Sequence, residues 1–292
     1  MERIRSASGR VSVALGAVLL SYAAARVLEI AHSPIPQLVL VALDVLSAMA
    51  FALVDGTRRY GLRHILVFAG ICAAIGNGIE NLSIATGFPF GRYEFLSLMG
   101  PKLFQVPVLL GLAYIGMAYV SWVLAGAVLG DGSARVHLLA RPLLASLMMT
   151  AWDLAQDPVW ATILRGWIWY GGGAWFGVPV SSFIGWLGTV FAICLCFALY
   201  LRRYAPRADH VRASVVPPLV FYLLCALGNA AQVLATSAPA VVQDPSGKFW
   251  RTADILHASA FVSLCIMGAF AALAWLQSRK LKPQAPAAVA TD

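Results

Sequence analysis

The stretch Thr150 to Trp160, TAWDLAQDPVW, sets two carboxylates four residues apart at the end of a long apolar run. On a helix that spacing puts Asp153 and Asp157 on one face, about 6 Å apart along the axis. Two carboxyl groups so close in a poorly solvated place do not both ionise readily, so one tends to hold its proton while the other is charged. Together they have the make-up of a general acid and a general base. Pro158 follows directly and is expected to stop the helix, because its ring fits poorly against the preceding turn. The plainer role for Asp157 is to end the helix beside that proline.

The elements that must position this pair are membrane helices. Of 292 residues, 60% are hydrophobic and 12% charged, and the mean hydropathy is +0.78. That leaves too little polar surface to cover a soluble globule. The first apolar run, Val11 to Leu28, follows Arg3, Arg5 and Arg10 as a signal peptide would, but no convincing small-residue cleavage site precedes Arg26 and Glu29. It is therefore read as a first spanning helix. Punctuation by charge, Pro and Gly gives about eight runs long enough to span a bilayer: 11–31, 37–55, 63–80, 104–129, 138–157, 182–201, 213–236 and 253–277. The expected fold is all-α, a polytopic transmembrane bundle forming one domain over 1–282, with a disordered tail over 283–292.

Basic residues give this topology an independent test, because short cytoplasmic loops are rich in Lys and Arg. Alternate ends carry fifteen: Arg3, Arg5, Arg10, Arg58, Arg59, Arg63, Arg135, Arg141, Arg202, Arg203, Arg207, Arg212, Arg279, Lys280 and Lys282. The opposite loops carry five, namely Arg92, Lys102, Arg165, Lys248 and Arg251. The expectation is a multi-pass protein of the cell membrane with both termini cytoplasmic. The net charge of +8 is then accounted for by orientation, with no nucleic-acid partner. Two loops on the non-cytoplasmic side, 81–102 and 158–182, are rich in Gly, Pro and aromatics and poor in charge, as re-entrant or interfacial caps would be. The five cysteines lie in apolar runs without paired spacing and read as small core residues.

Sorted by depth, the polar side chains within the spans gather in the outer half. Arg26 and Glu29 end the first helix, Asp44 lies in the second, and Asn77, Glu80 and Asn81 close the third. Asp153 and Asp157 end the fifth, Asn229 and Gln232 lie in the seventh, and Asp254 and His257 open the eighth. Intramembrane carboxylates are costly, so they normally face the bundle interior and mark a site. Each has a plainer role: Arg26 can pair with Glu29, Asp254 and His257 can steady a helix start, and Asn229 can be interhelical glue. Their shared depth favours one outer polar cavity.

Several membrane chemistries fail on composition. The four lysines, Lys102, Lys248, Lys280 and Lys282, all fall outside the spans, so none can hold a retinal Schiff base. Five scattered histidines, His32, His64, His137, His210 and His257, suit neither a transmembrane haem nor a di-iron centre. A proton-coupled transporter stays open, since an outer carboxylate vestibule would serve one, although there is no obvious inverted repeat and no polar path inward. A membrane prenyltransferase needs two Asp-rich motifs, and DLAQD has no second.

Two blocks, ENLSIATGFPFGRYEFLSLMGPKLFQVPV (80–108) and WDLAQDPVWATILRGWIWYGGGAWFGVPVSSFIGW (152–186), resemble the integral-membrane carotenoid biosynthesis family. That family contains the carotenoid 1′,2′-hydratases acting on lycopene, γ-carotene or bisanhydrobacterioruberin. The matching positions are Glu80, Gly87, Pro89, Phe90, Gly91 and Tyr93, then Asp153, Asp157, Pro158, Trp167, Trp169, Gly177, Pro179, Gly185 and Trp186. One departure is Ser181 and Ser182, where the pattern has an Asn shortly before the last Gly-Trp.

The resemblance implies hydration of an acyclic end group: protonation at C2′ leaves a tertiary cation at C1′, which water captures. No cofactor or metal is called for. Asp153, Asp157 and Glu80 would supply acid and water orientation. Phe90, Tyr93, Trp152, Trp167 and Trp169 would line the substrate and steady the cation with their π faces. Asn77, Asn81, Arg26, Glu29, Asp44, Asn229, Asp254 and His257 would be polar support. The partners implied are a carotenoid drawn from the bilayer, water, and other membrane enzymes of the same pathway. A different isoprenoid-modifying enzyme or a transporter is the alternative.

Overall fold

The computed structural model describes residues 2–130, 134–205, 213–234 and 238–280. The tail expected over 283–292 lies outside them, as do Arg207, Arg212 and Lys282. The described chain is mostly helical, and eight of its helices are long and apolar enough to cross a membrane. They are α1 (Glu2–Ile30), α2 (Gln37–Tyr60), α3 (Leu62–Thr86), α4 (Val108–Leu129), α5 (Ala134–Pro158), α6 (Val180–Tyr204), α7 (Val216–Ala231) and α8 (Thr252–Phe261). A wider π turn, Val262–Met267, carries α8 on into α9 (Gly268–Lys280), so these two make one crossing. The protein is a multi-pass membrane protein.

The bundle is arranged round α4. Every residue from Tyr114 to Ala125 is buried, as expected of a helix that is apolar all round. Small residues let its neighbours close in: a Cβ on Gly116 would stand 2.5 Å from the Ala48 Cβ of α2. The apolar runs thus delimit the spans well, with local exceptions.

Three exceptions bear on the site. Helix α3 continues to Thr86, a turn and a half past Glu80, and ends where Gly87 takes up a φ of 83° and its N–H caps the Ser83 carbonyl. Helix α4 starts at Val108 rather than 104, because 102–107 form a small hairpin, β2 (Lys102–Leu103) with β3 (Val106–Pro107). Pro158 ends α5 as a regular α-helix but does not end the crossing. The crossing runs on through a π turn, Val159–Ile163, to Ile163. The Leu154 carbonyl, which a Pro at 158 leaves without its usual N–H partner, instead accepts from Trp175 Nε1 at 3.0 Å.

The two cap segments are joined to each other. Strand β1 (Tyr93–Phe95) pairs antiparallel with β4 (Trp167–Trp169), in register Tyr93↔Trp169 and Phe95↔Trp167. Because side chains alternate along a strand, Tyr93, Phe95, Trp167 and Trp169 are buried while Glu94 and Ile168 are less so. A second hairpin, β5 (Val241–Gln243) with β6 (Phe249–Arg251), braces the second cap: Arg165 donates to the Gln243 carbonyl at 3.1 Å, and Phe176 meets Trp250 edge-on.

Buried charge is not confined to the cap end. Asp55, fully buried on α2, is ion-paired with Arg59 at 2.6 Å and Arg58 at 3.1 Å and accepts from the Tyr119 hydroxyl. Arg141 is buried too, 3.7 Å over the Trp122 ring. Two arginines read as loop charges are therefore structural ones, and the inner half is not bare. Cys72, Cys194 and Cys225 are core residues as expected, but Cys196 and Cys265 are exposed on the outside of the bundle.

Candidate active site

The spacing of four on α5 brings Asp153 and Asp157 to one face, 2% and 1% exposed. Each acidic group then has different company. Asp157 Oδ1 accepts from the indole N–H of Trp167 at 2.7 Å and of Trp169 at 3.4 Å, and Oδ2 accepts from the Ser182 hydroxyl at 3.3 Å. Asp153 Oδ2 is buried and has no hydrogen-bond partner among the described residues. Glu80, on α3 and 2% exposed, is held by two phenols: Tyr114 donates to Oε1 at 2.8 Å, and Tyr93 donates to Oε2.

These groups surround a cavity of about 30 Å³. Glu80, Asp153, Asp157, Phe90, Tyr93, Trp167 and Trp169 line it, joined by Phe95, Leu110, Trp152, Gln156 and Trp186. A void of that size, mostly apolar but with carboxyl groups on its wall, has room for a water molecule. Its rings brace one another: Trp186 stacks on Tyr114 with centroids 4.6 Å apart, Trp160 on Trp167 at 6.0 Å, and Tyr93 leans on Trp169 at 4.6 Å. Among the liners, Leu110 on α4 and Trp152 and Gln156 on α5 are the ones left half-buried. Trp169 also lines an outer groove of about 470 Å³ with Arg92, Gly171 and Gly172. Trp169 is thus common to the cavity and to the groove on the open side of the cap.

The Ser pair has a defined use. Ser181 donates to the Phe90 carbonyl at 2.7 Å while Ser83 accepts from the Phe90 N–H at 3.1 Å, which fixes the first cap between α3 and α6. Ser182 serves Asp157 as above.

The remaining polar residues lie elsewhere. Arg26 binds Glu29, Asp44 and Asn229, and Gln37 adds a bond to Glu29, tying α1, α2 and α7 together. Asn81 donates to Asn77 at 2.8 Å and accepts from the Gln105 N–H, fastening the β2–β3 hairpin to α3. Asp254 is exposed and 4.0 Å from Arg251, and His257 is exposed. The outer cavity expected from depth alone is thus several separate groups, because depth says nothing of where a side chain lies round the bundle. Sequence reasoning missed Tyr114, hidden in a uniformly apolar run. It also passed over Gln156, although the i, i+3 spacing from Asp153 was visible.

The model of the carotenoid biosynthesis proteins matches residues 37–243, more than half of the chain and all of this site. The chain belongs to the carotenoid biosynthesis protein family. A bisanhydrobacterioruberin hydratase from Haloarcula japonica is 30% identical over 155 residues, 52% of this chain and 49% of that protein. The chain thus matches about half the length of this curated relative. No solved structure matches it significantly. Within this family member, both resembling blocks converge on one place: β1 comes from the first, and α5, β4 and the start of α6 from the second.

Proposed function

We propose that this protein is a carotenoid hydratase, adding water across the terminal C1′=C2′ double bond of an acyclic end group of the lycopene, γ-carotene or bisanhydrobacterioruberin type. The observation that carries this reading is a water-sized cavity walled by buried carboxyl groups and aromatic rings, within a lipid-embedded bundle of this family. Protonation of an alkene needs a carboxylic acid shielded from bulk water, and the tertiary cation it leaves needs π faces that steady it without bonding to it. The relative named above is a hydratase, which agrees with this chemistry.

The polyene enters sideways from the bilayer between α4 and α5, past the half-buried Leu110, Trp152 and Gln156, and only its end group reaches the carboxyls. Those side chains must swing aside, since the cavity of about 30 Å³ holds water but not an isopropylidene group. The cap end faces away from the cytoplasm and both termini lie inside, in keeping with Arg58, Arg59, Arg202, Arg203, Arg279 and Lys280 at the far ends of α2, α6 and α9. Other membrane enzymes of carotenoid synthesis would supply the substrate.

Expression in cells that accumulate lycopene or γ-carotene tests the reading. Pigments heavier by one water per attacked end are the expected result. Unchanged pigment, with the protein present in the membrane, overturns it for those substrates. Products heavier by an isoprenoid unit would indicate a prenyltransferase instead. Uptake driven by a pH gradient without new pigment would indicate a transporter.

A further inference from the structure

Resting on the hydratase reading, we infer that the two aspartates have fixed and different tasks: Asp153 donates the proton to the alkene, and Asp157 is the carboxylate that takes a proton from the attacking water. The reason is hydrogen-bond bookkeeping. An indole N–H can only donate, and two of them, from Trp167 and Trp169, meet at Asp157 Oδ1 while the Ser182 hydroxyl meets Oδ2. Two obligate donors on Oδ1 and a hydroxyl donating to Oδ2 match a carboxylate, whereas a carboxylic acid would have to carry its O–H on Oδ2 and reverse the Ser182 bond.

Asp153 is in the opposite position. Its Oδ2 is buried on the cavity wall with no partner among the described residues, and a bare anion there would be strongly disfavoured. As a neutral acid it instead presents an unengaged O–H to whatever enters. Glu80 takes neither task, because both its oxygens are occupied by the hydroxyls of Tyr93 and Tyr114. Its place is to hold Tyr93 beside Trp169.

The step balances within this pair. The O–H bond of Asp153 breaks as its proton bonds to C2′ with the alkene π electrons, leaving the cation at C1′. A lone pair of water bonds to C1′, and the water's proton passes to Asp157. Transfer of that proton from Asp157 back to Asp153, one helical turn away, restores the site. The sum is alkene plus water to tertiary alcohol.

The two halves separate in heavy water. Membranes carrying each variant are incubated with lycopene in D2O, and the recovered lycopene and alcohol are weighed by mass spectrometry. Asp157→Asn should retain protonation, so unreacted lycopene gains deuterium while alcohol falls at least 100-fold. Asp153→Asn should lose both. Ser182→Ala and Trp167→Phe, which leave Asp157 fewer donors, should shift the ratio of exchange to hydration upward, and they carry the test should Asp157→Asn not accumulate. Deuterium uptake by Asp153→Asn, or an unchanged ratio in the Ser182 and Trp167 variants, overturns the assignment. A wild-type protein that makes no alcohol from any of the three carotenoids instead overturns the hydratase reading itself.

Discussion

Trp175 donates its indole N–H to the Leu154 carbonyl at 3.0 Å, occupying the acceptor that Pro158 cannot serve. That bond helps the crossing to run on past a proline as a π turn and keeps Asp157 away from a frayed end. It also ties the second cap to the helix that carries both aspartates.

Trp175→Phe should therefore leave a carbonyl without its partner, costing about 1–3 kcal/mol. A lower Tm in detergent and weaker hydration are expected together. An unchanged Tm would mean that water replaces the indole at no cost.

Gly185 lies under Phe90, where an added Cβ would stand 2.3 Å from the ring, and Phe90 is held at both its N–H and its carbonyl. Gly185→Ala should displace the first cap and lower hydration at least roughly tenfold, equivalent to more than about 1.4 kcal/mol. Gly188, one turn on with open space at its Cβ position, is the control: Gly188→Ala should leave the rate unchanged.

Trp169 is both a donor to Asp157 and a wall of the cavity and of the outer groove. Trp169→Phe keeps the wall and loses the longer of the two indole bonds, so hydration should fall by roughly fivefold, about 1 kcal/mol. Trp169→Ala joins cavity and groove and should fall well beyond that, because bulk water then competes for the acid. Equal rates in the two variants would show that the wall is immaterial.

Removing one partner of a buried ion pair costs about 3–5 kcal/mol. Asp55→Ala leaves Arg59 buried without its carboxylate, so it should reduce folded yield sharply. Asp55→Ala combined with Arg59→Met should recover part of it. A double variant worse than the single one would refute the coupling.

Asp244 sits on the β5–β6 hairpin outside the spans. Burial alone would raise its pKa, but bonds from the Ser246 hydroxyl, the Trp250 indole and the Lys248 and Ser246 amides outweigh that and hold it below the usual carboxylate value. A lowered folded value means the stabilisation is complete above the unfolded pKa of about 3.9 and is lost as pH falls through the folded one. Amide exchange at Ser246 and Lys248 should thus stay slow from pH 8 to 5 and loosen only in more acidic solution. Loosening near pH 6 would contradict this.

The membrane bundle was legible in the chain itself. Helix spans follow from the length of apolar runs, because a bilayer demands about 20 residues whatever surrounds them. The Asp153–Asp157 face was equally legible, since a spacing of four fixes it for any α-helix. The burial of the Asp55–Arg59 pair was not, because an i, i+4 pair at the end of a span reads the same whether water or neighbouring helices surround it.

What only the tertiary structure decided is the company each carboxyl keeps. The pairing of Tyr93 with Trp169 joins segments 76 residues apart, and no local pattern specifies that register. Tyr114 reaches Glu80, and Ser182 reaches Asp157, only because α3, α4, α5 and α6 pack at particular rotations. Residue type and spacing thus determined that two acids share a greasy helix face. The packing decided that one is ringed by donors while the other is left with an oxygen to spare.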